Sequence, residues 1–97
     1  MLLSGHVVLI IEPYERFFGV ELQKAIEREG GDSIVAYEPT AALVQCKTFE
    51  FTAALVNCEH RGIVSKLRMP ATVYGPADSY HTAIDRLEEL LETTRLH

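Results

Sequence analysis

The sequence predicts an α/β domain, a three-layer sandwich in which a parallel sheet of about four strands lies between helices. Three observations carry that prediction. Val7-Val8-Leu9-Ile10-Ile11 is an unalternating aliphatic run, which suits a strand buried on both faces of a parallel sheet. The next segment, Tyr14 to Glu29, switches to helical spacing. A second short apolar run, Ile34-Val35-Ala36-Tyr37, follows it, so strand, helix and strand form a crossover that sets the two strands parallel.

Each element has its own local reason. The first strand stops at Glu12-Pro13, a charge followed by a residue with no ladder donor. The first helix carries Phe17, Phe18, Leu22, Ala25 and Ile26 on one face and Glu15, Glu21, Lys24, Glu27 and Arg28 on the other. Gly30-Gly31 ends it by tolerating positive φ just past the last turn. Pro39 suits the first turn of a second, short helix around Ala41 to Cys46. Thr52 to Val56 reads as a third strand ending at Asn57, placed there by its position after a helix, since alanine is a weak strand former. Gly62 to Arg68 has the spacing of a helix of about two turns. Pro70 to Tyr74 reads as a fourth strand, and Gly75-Pro76 as its punctuation. Asp78 or Ser79 can cap the last helix. That helix has an inner stripe of Tyr80, Ala83, Ile84, Leu87, Leu90 and Leu91 and an outer face of Asp85, Arg86, Glu88, Glu89 and Glu92. Repeats, linkers and low-complexity segments are absent, so residues 1–97 read as one domain.

Composition narrows the function classes. A hydrophobic fraction of 47% and a charged fraction of 24% are ordinary for a globular chain of 97 residues. Net charge is −5 and the cations are scattered, with only Arg61, Lys66 and Arg68 near one another. That argues against nucleic acid, whose affinity comes from neutralised phosphates. Met1-Leu2-Leu3 is too short for a signal segment, and no apolar run spans a bilayer, so no membrane role is expected. Cys46 and Cys58 fit no metal or redox spacing and read as core thiols in a reducing, cytoplasmic compartment.

The residues resemble the receiver domain of two-component response regulators, over roughly the first sixty positions. Val8-Leu9-Ile10-Ile11-Glu12 is similar to that family's first strand, which ends in acidic residues. The helix from Phe17 to Gly31 and the strand from Asp32 to Tyr37 follow in matching order. Leu55-Val56-Asn57 resembles the third strand, and Gly62 to Arg68 the third helix with its leading glycine. The resemblance implies a flavodoxin-like fold with strand order 2-1-3-4. It also implies that the chain is short by one βα unit, about 30 residues. The missing strand is the fifth if Pro70 to Gly75 is the fourth, or the fourth if Gly75 to Tyr80 leads into the fifth; helical periodicity from Asp78 favours the first placement.

Carried over residue by residue, the family's chemistry fails. Asn57 stands at the phosphate-accepting aspartate, and an amide is a poor nucleophile. Of the acidic pocket, Glu12 remains, Pro13 stands where a second acid would be, and magnesium binding is not expected. Gly75 falls at the hydroxyl position, and the lysine that follows the fifth strand has no match. Read from the residues alone, Glu12 is a solvated carboxylate at a strand end, and Asn57 bonds local backbone. His60 has no orienting partner that would make it catalytic, and Glu59, His60 and Glu12 have no recognised metal spacing. Glu12-Pro13-Tyr14-Glu15 holds no glycine and two carboxylates, the wrong chemistry for a phosphate loop.

The expected function is a phosphorylation-independent pseudo-receiver, not an enzyme, that works by protein–protein contact in signalling and needs no cofactor. Two alternatives are a working receiver in a phosphorelay with a non-standard site, and a small α/β enzyme using Glu12 as base. Losing a βα unit would leave Ala71, Thr72, Val73 and Tyr74 as an open apolar edge with no spare element to cover it. A signalling protein or a second copy, in a homodimer through this edge and the last helix, is therefore the expected partner.

Overall fold

A computed structural model describes residues 3–13 and 17–95. The first strand, β1 (Val7–Ile11), organises the sheet because it is paired on both sides and covered on both faces. Val8, Leu9, Ile10 and Ile11 are all fully buried. At about 1.5–3 kcal/mol each, their burial is of the same order as the whole net stability of a typical domain.

Around it run α1 (Phe17–Arg28), β2 (Asp32–Ala36), α2 (Pro39–Thr48), β3 (Ala53–Asn57), a 3₁₀ segment (Cys58–Lys66), β4 (Ala71–Tyr74) and α3 (Tyr80–Arg95). The four strands are all parallel, in the order β2-β1-β3-β4. This is the doubly covered arrangement of a flavodoxin-like fold. Alternation along the strands divides the core into two layers. Val8, Ile10, Ala53 and Leu55 face α1 and α3, packing on Leu22, Ile26, Ala83 and Leu87. Leu9, Ile11, Ala54 and Val56 face α2 and the 3₁₀ segment, packing on Ala42 and Ile63.

Several boundaries differ from the sequence expectation, each for a physical reason. The stretch from Gly62 to Arg68 is not an α-helix of two turns. The helical segment begins at once after β3, is 3₁₀ in type, kinks at His60, and stops at Lys66. Its nine residues must return along the five of β3. The second strand is Asp32–Ala36, so Tyr37 lies beyond it and is exposed. The second helix ends at Thr48, where the sequence places its end.

The two adjacent glycines after α1 do different jobs. Gly30 takes the positive φ, at 87°. Gly31 permits close approach, because a Cβ there would lie 2.9 Å from Ile26 Cγ2 and 3.0 Å from the Leu3 carbonyl. Leu3 is itself fully buried, and its N–H donates to the Glu29 carbonyl at 2.9 Å, so the N-terminal turn seals this end of α1.

Candidate functional site at the carboxyl ends of the strands

Open parallel sheets bind ligands beyond the carboxyl ends of their central strands. Here that position is filled by the chain's own polar groups. Glu12 follows β1 directly, and its N–H extends the ladder to the Ala36 carbonyl at 3.0 Å. The pairing of Ile11 with Val56 brings Glu12 level with Asn57, the last residue of β3. Even spacing from Ile10 and Leu55 turns both side chains toward the α1 and α3 layer.

The two side chains meet. Asn57 Nδ2 donates to Glu12 Oε1 at 2.8 Å, in the interior. Asn57 Oδ1 accepts the Glu59 N–H at 2.9 Å and so caps the 3₁₀ segment. Glu12 is 1% exposed and Asn57 6%. The expectation of a solvated Glu12 is therefore overturned: the backbone register holds it under the end of α1, with Gly19 above its Cβ and Cγ. Asn57 bonds local backbone as expected, and in addition binds the Glu12 carboxylate.

Tyr74 belongs to this row as well. It pairs in register with Asn57, is 1% exposed, and stacks on Phe18 with ring centroids 5.4 Å apart. As a member of an outer interface, Tyr74 is thus misplaced by sequence reasoning: its side chain is core, and only Ala71, Thr72 and Val73 are half-exposed. Pro13 is half-buried beside Glu12, while Tyr14 and Glu15 lie outside the described residues.

Gly75 N–H donates to Asp78 Oδ2 at 2.7 Å. That carboxylate also receives Arg86 Nη1 at 2.8 Å, and the same nitrogen donates to the Val73 carbonyl at 3.1 Å. The Pro70 carbonyl accepts from Ala54 and so faces β3, hence Ala71, Val73 and Gly75 face outward by alternation. The edge expected to be uncovered is therefore partly closed, by a side-chain clamp from α3 rather than by another strand. Ser79, not Asp78, caps α3, its Oγ accepting the Thr82 N–H at 3.2 Å. Arg86 was legible in retrospect: it is the lone cation on an otherwise acidic helix face.

What this arrangement can do chemically is limited. Asn57 is an amide with both polar atoms engaged, and the adjoining Glu12 carboxylate is enclosed. His60 sits at the kink of the 3₁₀ segment, half-buried, and Glu59 is exposed. Among the described residues no three His, Cys, Asp or Glu side chains converge as a metal site. Among them, too, no helix is long and apolar enough to cross a membrane. The chain matches no protein-family model and no curated protein.

Proposed function

We propose that the domain is a phosphorylation-independent, receiver-like interaction module of a cytoplasmic signalling system. One observation carries this reading: the buried hydrogen bond from Asn57 to Glu12, at the place where a phosphate acceptor and a metal-binding acid would otherwise face each other. An amide that donates to its neighbour is neither a nucleophile nor a free ligand. The module acts through contacts with a signalling protein or a second copy of itself, reached through the outer edge of β4 and through α3. Ala71 and the Val73 N–H face outward there.

Amide NMR with magnesium and beryllium fluoride, or with a small phosphodonor, tests the central claim. The expected spectrum is unchanged. Saturable shifts at Glu12, Asn57 and Glu59 would sink it. Light scattering across a concentration series tests self-pairing: a monodisperse monomer at high concentration leaves the partner as a different protein.

A further inference from the structure

Among the large apolar side chains still exposed, two lie on one side of the molecule, away from the Glu12–Asn57 end. Val44 on α2 is 59% exposed and Phe49, just after it, is 45% exposed. The second helix has apolar residues on both its inner and outer faces: Ala42 is buried, Leu43 and Cys46 half-buried, and Val44 open. A helix that is apolar around its circumference fits an environment covered on both sides, not one face against water.

Beside that helix, at the amino ends of β3 and β4, runs a groove of about 830 Å³. Leu43, Cys46, Phe51, Leu67 and Met69 give it an apolar floor. Its rim carries Lys47, Lys66 and Arg68 against one anion, Glu50. The three cations are exposed, and none makes an ion pair with a described residue. A chain with net charge −5 thus gathers three of its nine lysines and arginines around an apolar trough.

We infer that this groove docks an acidic amphipathic helix of a partner protein, apolar side chains on the floor and carboxylates toward Lys47, Lys66 and Arg68. The inference rests on the interaction-module reading and adds to the β4 edge and α3 a second surface with its partner chemistry. Charge complementarity selects the occupant, and helix-in-groove recognition supplies the geometry. A second copy does not fit. The acidic face of α3 offers Asp85, Glu89 and Glu92, but the apolar stripe of that helix is spent on its own core. Val44 lies outside the groove lining, one turn before Lys47 on the outer side of α2, and a small anionic amphiphile is the alternative occupant that the test separates.

The two cysteines make the test internal. Cys46 lines the groove, whereas Cys58 lies at the opposite end of the sheet, its Sγ 3.9 Å from where a Gly75 Cβ would be. The probes are a helical peptide with leucines at i, i+3, i+4 and i+7 and flanking glutamates, the same peptide with lysines for glutamates, and oleate. The glutamate peptide is expected to protect Cys46 from alkylation while Cys58 reacts as before, and to bind at least about tenfold more tightly than the lysine peptide. Reversing Lys47, Lys66 and Arg68 to glutamate is expected to abolish that preference, and Glu50→Lys to strengthen it. Equal binding of the two peptides, protection at Cys58, no binding, or oleate protecting Cys46 as well as the peptide does would each overturn the inference. The module reading stands apart from these results, because only phosphate-analogue shifts at Asn57 bear on it.

Discussion

At the carboxyl ends of the strands the chain bonds to itself: Asn57 holds Glu12, Tyr74 stacks on Phe18, and Asp78 takes Gly75. At the amino ends, on the α2 side, it leaves an apolar trough rimmed by cations that pair with nothing described. The first end is where this class of sheet keeps its ligands, and the second is normally scaffold. The difference shows that one end of such a sheet can be closed by the chain's own polar groups while the other keeps an open apolar surface. The amide of Asn57 meets the Glu12 carboxylate as a hydrogen-bond donor, where a second carboxylate would repel it.

Restoring the carboxylate is the strongest way to break that contrast. Asn57→Asp would set a second acid against the buried Glu12 oxygen now 2.8 Å from the amide. Like charges that close raise one pKa by about two units or more, a penalty of about 3 kcal/mol at neutral pH. The raised value means that the folded protein holds its extra proton more readily than the unfolded chain. The deficit is therefore largest at neutral pH and shrinks as pH falls. Urea titrations at pH 7 and pH 5 should show the variant recovering in acid. Added magnesium should recover part of the loss at pH 7 if the paired acids then bind it. A variant as stable as the parent at pH 7 would mean that the bond matters little.

Gly31→Ala tests the sealed part of the amino end, on the α1 side. The new methyl meets the Ile26 side chain and the Leu3 backbone, and a backbone oxygen cannot step aside. The expected cost is about 1–3 kcal/mol, read as a lower thermal midpoint. Gly30→Ala should also destabilise, by about 1 kcal/mol, but through positive φ instead of crowding. Loss of only one of the two effects would identify which glycine the turn depends on.

Much of this was legible in the residues. The unalternating Val7–Ile11 run, the helical stripe of α3 and the Pro39 start of α2 each follow from local pattern, whereas the strand order 2-1-3-4 is expected from the family resemblance and is the order observed. The 3₁₀ segment was not legible, because its start is set by Asn57 capping it directly at the end of β3 and its kink at His60 breaks the helical spacing. Nor was the burial of Glu12, which depends on two strands placing residues 45 positions apart at one level. Leu3 reads in the sequence only as part of a run too short for a signal segment and is core, since only the fold reveals that the turn before β1 packs over Gly31. The edge of β4 looked bare because side-chain coverage from Arg86 is a tertiary fact.

That coverage has its own test. Arg86→Ala removes the bond to the Val73 carbonyl and the partner of Asp78. Arg86 is largely exposed, so the monomer should lose no more than about 1 kcal/mol. The larger change is expected in association, because a freed strand edge is a pairing surface. Sedimentation of the variant should show a greater dimer fraction than the parent at equal concentration. An unchanged fraction would mean that the clamp does not guard the edge.

The smallest effect tests the charge half of the comparison. While cations gather at the groove, α3 gathers acids, and Glu88 bears the consequence: burial first, then Glu29, Asp85 and Glu92, push its carboxyl above the usual carboxylate range. Arg28 and His81 line the same hollow between α1 and α3. With the folded-state pKa above the unfolded one, the native protein gains stability as Glu88 takes up its proton, and loses that gain as pH rises through the folded value. Glu88→Gln should therefore stabilise the domain at pH 7, by about 0.2–0.5 kcal/mol, the size of a like-charge i, i+4 contact such as that with Glu92. Below about pH 4, where the parent is protonated as well, the two proteins should melt together. Salt at neutral pH should also narrow the gap by screening the exposed acids. A gain that persists unchanged into acid would place its origin in packing or helix propensity, and the acidic crowding of α3 would then cost the fold nothing.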